Sequence, residues 1–100
     1  MSIGKVDALV SSESLGTEAF LVGGKNFNVV ADFNAGSFVG TVTAQRRFID
    51  KTGTTSWIDV EDYTEQANKQ ALEVESNVEY RLFVKTGNYT SGTVYLRLSR

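Results

Sequence analysis

Asp59, Glu61 and Asp62 stand close together in the sequence, and Glu73 and Glu75 lie one strand step apart. Two convergent carboxyls can act as the acid and the base of a glycosidase. Carboxylates are, however, mostly solvated surface groups, and that reading is preferred here. The chain has no histidine and no cysteine. The commonest general base and the commonest transition-metal ligand are therefore missing. Zinc sites, Ser-His-Asp triads, Cys-His pairs and disulfides cannot be built. Any enzyme would have to work with carboxylates, Lys or Tyr. No base and nucleophile pair of that kind is recognisable, so the sequence predicts a protein that catalyses nothing and needs no cofactor or metal.

The remaining motifs are fragments. Gly23-Gly24-Lys25 has part of a phosphate-binding loop without its spacing or a following helix; a turn before a strand is preferred. No D-x-D-x-D-G calcium loop occurs. Arg46, Arg47, Arg81 and Arg97, with Tyr80, Phe83, Tyr89 and Tyr95, could line a stacking groove for single-stranded nucleic acid. Cross-strand pairing with Glu79 and other acids is the alternative. It is favoured because the net charge is −2, from 10 basic and 12 acidic residues, and phosphate binders usually carry a basic excess. Trp57 could be a sugar-stacking platform. A core anchor is preferred, because Ile58 and Val60 follow it. Asn88-Tyr89-Thr90 matches a glycosylation sequon, which has meaning only on secretion.

The elements that must position these residues read as strands. From Lys25 to Phe33, Phe27, Val29, Ala31 and Phe33 share one face by period two. Asn34-Ala35-Gly36-Ser37 has turn chemistry and predicts a hairpin connection. Phe38, Gly40, Val42, Ala44, Arg46 and Phe48 share a face of the next strand, which ends at a turn over Asp50-Lys51-Thr52-Gly53. Thr55 to Val60 is a short strand around Trp57, Glu61 to Asn68 a loop or ragged edge, and Lys69 to Val74 a short strand. Val78 to Thr86 alternates strongly. Gly87-Asn88-Tyr89 opens a turn that Ser91-Gly92 completes, and Thr93 to Ser99 closes the chain. Val6 to Val10 and Leu15 to Val22 are weaker strands joined by Ser11-Ser12-Glu13-Ser14.

About seven or eight short strands with frequent turns predict an all-β fold, a small antiparallel β-sandwich or barrel. A chain of 100 residues is expected to be one domain. Its expected core is Phe27, Val29, Phe33, Val42, Trp57, Tyr80, Leu82, Val84, Val94 and Leu96. Residues 1–14 are read as an N-terminal arm ordered by a neighbouring subunit or shell; the alternative is an edge strand within its own sandwich. The N-terminus lacks an apolar run after its first positive charge, so no secretory signal is expected. No stretch approaches the roughly 18 apolar residues of a membrane helix.

Gly40-Thr41-Val42-Thr43-Ala44-Gln45-Arg46, then Asp50 and Thr55-Ser56-Trp57-Ile58-Asp59-Val60, form a pattern that Glu79-Tyr80-Arg81-Leu82 and Gly87-Asn88-Tyr89-Thr90-Ser91-Gly92-Thr93-Val94 continue. It resembles short β-sandwich virion proteins of tailed bacteriophages, of the capsid decoration (cement) or head-fibre and tail-fibre type. Residues before Phe27 carry none of it. The resemblance implies a module made in the host bacterial cytoplasm and carried on the capsid surface. There it would bind the major capsid protein and stabilise the head as a homo-oligomer, with a trimer favoured. Nucleic acid and membrane are not expected partners. Val30, Val39, Phe83 and Tyr95, which the sandwich would leave outside, are the candidate partner interface, together with Ile3, Lys5 and Val6. The alternative function is a carbohydrate- or receptor-binding module of a head or tail fibre, favoured if Trp57 or Tyr89 is exposed. A carboxylate hydrolase is a third, needing two acids that converge in a cleft.

Overall fold

The alternation along the chain is realised as two packed antiparallel sheets. A computed structural model describes residues 4–50, 53, 54 and 56–100, with backbone only for 50, 53 and 54. Among them are ten strands: β1 Lys5–Val10, β2 Leu15–Gly16, β3 Phe20–Leu21, β4 Asn26–Gly40, β5 Val42–Asp50, β6 Gly53–Thr54, β7 Ile58–Tyr63, β8 Ala67–Leu72, β9 Val78–Val84 and β10 Tyr89–Ser99. One sheet has the order β1-β10-β4-β8. The other has β2-β9-β5-β6, with β3 also on β9 and β7 also on β5. The two inner faces meet in one apolar core, the two-layer solution for sheets with one greasy side. In β9 the alternation is strict: Val78, Tyr80, Leu82 and Val84 are buried, while Glu79, Arg81 and Phe83 between them are half-buried. Leu82 and Leu96 are fully sequestered, each contributing on the order of 1.5–3 kcal/mol by burial.

The expected all-β sandwich is what forms, and three of its strands are two-residue pieces. Leu15 to Val22 is therefore two fragments rather than one strand. Among the described residues there is no helix, hence none long and apolar enough to cross a membrane.

Five readings differ from expectation, each for a physical reason. The expected hairpin turn at Asn34–Ser37 does not form; β4 runs straight through it. Instead Gly36 and Ser37 both face Thr93 of β10, a β-bulge, with Ser37 in the left-handed region at φ 54°. An extra residue shifts the parity of a strand, so Phe33 and Phe38 both point inward, their rings edge-on at 5.0 Å. Opposite the bulge, Gly92 has φ +82°, and a Cβ there would collide with the Ser37 carbonyl oxygen. Ser91-Gly92 thus lies inside β10, which already begins at Tyr89.

Glu61 to Tyr63 is strand, because β7 pairs with β5 up to Val42–Tyr63. The next strand runs Ala67–Leu72, two residues earlier than read, in register with β4 from Asn26–Leu72 to Ala31–Ala67. The N-terminal segment is an edge strand and not a free arm. Lys5 to Val10 pairs residue for residue with Ser99 to Val94, and Val6 and Val10 join the core. The turn expected at residues 50–53 is flanked by the pairing of Asp50 with Gly53; Lys51 and Thr52 lie outside the described residues, as does Ile3.

Candidate functional site

Trp57 is absent from the core. It precedes β7 on the outer face of the six-stranded sheet, half-buried, which corrects its reading as a core anchor. That face is set by register. Gln45 stands opposite Arg81, Arg47 opposite Glu79 and Thr43 opposite Phe83, so all six side chains share one side. On the far side of β5, Thr43 pairs with Asp62 and Gln45 with Asp59, while Glu61 pairs with inward-facing Ala44. Asp59 and Asp62 are three residues apart and would ordinarily face opposite ways. Val60, the extra residue between them, puts both on the outer face and turns Glu61 away.

The face is a locked polar layer. Thr43 and Gln45, although on the solvent side of the sheet, are buried. The Thr43 hydroxyl donates to Asp62 Oδ1 at 2.7 Å. The Gln45 amide uses both ends: Nε2 donates to Asp59 Oδ1 at 2.9 Å, and Oε1 accepts from Arg81 Nε at 2.7 Å. Arg47 donates to Glu79 Oε1 through Nε and Nη2, both at 2.9 Å. Lys85 Nζ meets Asp59 Oδ2 at 2.6 Å. Over this layer the Arg47 and Arg81 guanidinium carbons lie 4.3 and 4.5 Å from the Trp57 ring centroid, and Arg81 lies 4.0 Å from that of Phe83. Such contacts are worth about 0.5–1 kcal/mol when exposed, more when desolvated.

Charge follows the same division. Hydrogen bonds from Lys85 and then Gln45 hold the Asp59 carboxyl below its ordinary range. Burial, and then repulsion from Arg47, pull the Arg81 guanidinium down. The face is thus acidic toward Asp59 and Asp62 and basic toward Arg47 and Arg81.

The other candidates are dispersed. Arg46 points inward, where its Nη2 meets Glu73 Oε1 at 2.9 Å; the Tyr80 hydroxyl donates to the same oxygen at 2.8 Å. Arg97 belongs to the other sheet, between Asp7 and Val30. No four-arginine stripe exists, and the cross-strand pairing with Glu79 is what forms. Of the partner-interface candidates, Lys5, Val30 and Tyr95 share the outer face of the four-stranded sheet by register, with Tyr95 donating to Asp7 at 3.1 Å. Phe83 is on the opposite sheet beside Arg81. Val39 is exposed near the end of β4. Val6 faces the core, which corrects its place among the partner-interface candidates. Tyr89 is half-buried against Phe38, with its hydroxyl donating to the Gly92 carbonyl.

The carboxylates do not assemble into an acid and base pair. Glu61 is held by Lys69 at 2.5 Å and by the Tyr63 hydroxyl at 3.0 Å. These contacts lower its pKa as Asp59's is lowered, the opposite of what a general acid needs. Glu73 is consumed by Arg46 and Tyr80, with the Glu75 amide donating to its second oxygen at 3.1 Å. Among the described residues no group of three acids is placed to hold a metal ion. Gly23-Gly24-Lys25 leads into β4 and no helix. A cleft of about 260 Å³ lined by Lys5, Val6, Asp7 and Glu18 is below the roughly 300–1,000 Å³ of small-molecule sites. No family model, curated protein or solved structure matches the chain.

Proposed function

We propose that the chain is a non-catalytic binding module of a tailed-phage virion, docking on the major capsid protein through the outer face of its six-stranded sheet and stabilising the head. The observation that carries the docking face is Trp57, outside the core and packed against Arg47 and Arg81. Trp and Arg dominate the energetic centres of protein interfaces. Here they are held in place before any partner arrives, which lowers the ordering cost of binding. The phage assignment rests on the sequence resemblance. A module that binds only assembled shell stabilises it by mass action, and a trimer on three-fold sites would multiply modest contacts by avidity.

The test is add-back of the purified protein to heads lacking it. Wild type should co-sediment with heads and raise their melting temperature, and Trp57→Ala should lose both effects. Heads that bind none of the wild type exclude the capsid partner. Equal binding of the variant moves the contact off this face. The placement of Trp57 also favours a second reading, a carbohydrate- or receptor-binding module of a head or tail fibre. That reading predicts saturable changes in Trp57 fluorescence on titration with host surface glycans, and unchanged emission counts against it.

A further inference from the structure

Among the described residues, three cations lie on the outer face of the six-stranded sheet, and two have carboxylates: Arg47 has Glu79 and Lys85 has Asp59. Arg81, among the described residues, has none within ion-pair distance. Its Nε donates to a neutral amide oxygen, Gln45 Oε1, and neither of its terminal nitrogens has a hydrogen bond to a described residue. The guanidinium is nevertheless fixed. Its central carbon lies 4.0 Å from the Phe83 ring centroid and 4.5 Å from that of Trp57, and Gln45 is anchored in turn by Asp59. Arg47, one strand step away on the same face, adds a second positive charge and spends two of its nitrogens on a single Glu79 oxygen.

A half-buried guanidinium with its fork free and a second cation beside it lacks a counter-charge, and a planar carboxylate fits that fork with two parallel hydrogen bonds. We propose that Arg81, assisted by Arg47, receives an aspartate or glutamate side chain of the protein that docks on this face, an inference that rests on the docking reading above. Charge selects that occupant over a polyanion. Asp59 and Asp62 border the same patch, so a chain of phosphates crossing it would meet more repulsion than a single carboxylate seated at the fork.

Trp57 is the only tryptophan and touches both arginines, so its emission reports the site directly. Wild-type protein is titrated at fixed ionic strength with the blocked peptide acetyl-Gly-Glu-Leu-Glu-Gly-amide, its glutamine counterpart and inorganic phosphate. The glutamate peptide should shift Trp57 emission and bind at least about tenfold more tightly than the glutamine peptide, a ratio equivalent to about 1.4 kcal/mol. Arg81→Gln should erase that ratio. Arg81→Lys, which keeps the charge without the fork, should retain only part of it, and circular dichroism checks the fold of both. In the head-binding assay Arg81→Gln should weaken docking about tenfold and flatten its salt dependence, whereas Arg97→Gln on the other sheet should not. Equal binding of the two peptides, an undiminished ratio in Arg81→Gln, or displacement of the peptide by phosphate at lower concentration overturns the inference. The peptide assay needs no heads, so failure of the capsid partner is distinguishable from failure of the carboxylate site.

Discussion

Leu82 and Trp57 lie on opposite sides of the same sheet, and their energetic roles differ accordingly. Leu82 is fully buried between the sheets. Leu82→Ala leaves a cavity and should cost about 2–5 kcal/mol, read as a lower urea midpoint with unchanged slope. Trp57→Ala removes stacking over a polar layer and should cost less than about 2 kcal/mol. Wild-type Trp57 emission should be red-shifted and accessible to iodide; a blue, unquenched spectrum would return Trp57 to the core. The sequence invites the misreading, since Trp-Ile-Asp-Val looks like an apolar strand. Ile58 and Val60 are in fact 47% and 50% exposed on the sheet edge. Composition cannot reveal that, because burial on an edge strand depends on what lies across it. Tyr80 supplies the residue-scale pH test. Burial, reinforced by Glu73, pushes its phenol up to about 12, and burial raises Tyr63 as well. Above the unfolded value of about 10, the unfolded chain loses a phenolic proton that the folded chain keeps. The stability these neutral phenols carry is full below pH 10 and is lost as pH rises toward 12. Melting temperature should fall over that window, and the fall should be shallower in Tyr63→Phe/Tyr80→Phe.

At the scale of elements, legibility followed parity. Strands with unbroken alternation, such as β9 and the first half of β4, stood where the sequence put them, because one face must be buried. The misplaced boundaries at 34–37 and 61–63 sit at bulges or next to one, and a bulge changes parity without any residue type that announces it. Asn34, Gly36 and Ser37 suit a turn and a bulge equally. The same device made the candidate face only half legible: Arg47, Arg81 and Glu79 followed from alternation, whereas the placement of Asp59 and Asp62 on one face needed the extra Val60. Gly92→Ala tests the first bulge, since it meets the Ser37 carbonyl at a positive φ. It should destabilise by about 1–3 kcal/mol, with Phe33 and Phe38 losing their edge-on contact in NMR. β1 gives a second test. Deleting residues up to Ser12 removes Val6 and Val10 from the core and exposes the β10 edge. The shortened chain should unfold or aggregate; retention of full stability would revive the arm.

On the scale of the sandwich, its first and last strands meet, β1 pairing with β10 from Lys5–Ser99 to Val10–Val94. No local segment can form that contact, and the central pair β4 and β10 also joins distant parts of the chain. Folding must therefore close long loops before most of the apolar area is buried. Sandwiches dominated by such pairings fold in roughly milliseconds to seconds. The sequence has no proline, so its unfolded ensemble is not divided by X-Pro isomers, whose exchange takes on the order of tens of seconds. There is likewise no cysteine to mispair. Stopped-flow dilution from urea should give one refolding phase in the millisecond-to-second range and no slower one, whatever the delay between unfolding and refolding. Core variants such as Leu82→Ala should shift the chevron without adding a phase. A delay-dependent slow phase would place the barrier outside strand pairing, in an association step if its rate rises with protein concentration. That outcome would tie folding of the sandwich to self-association.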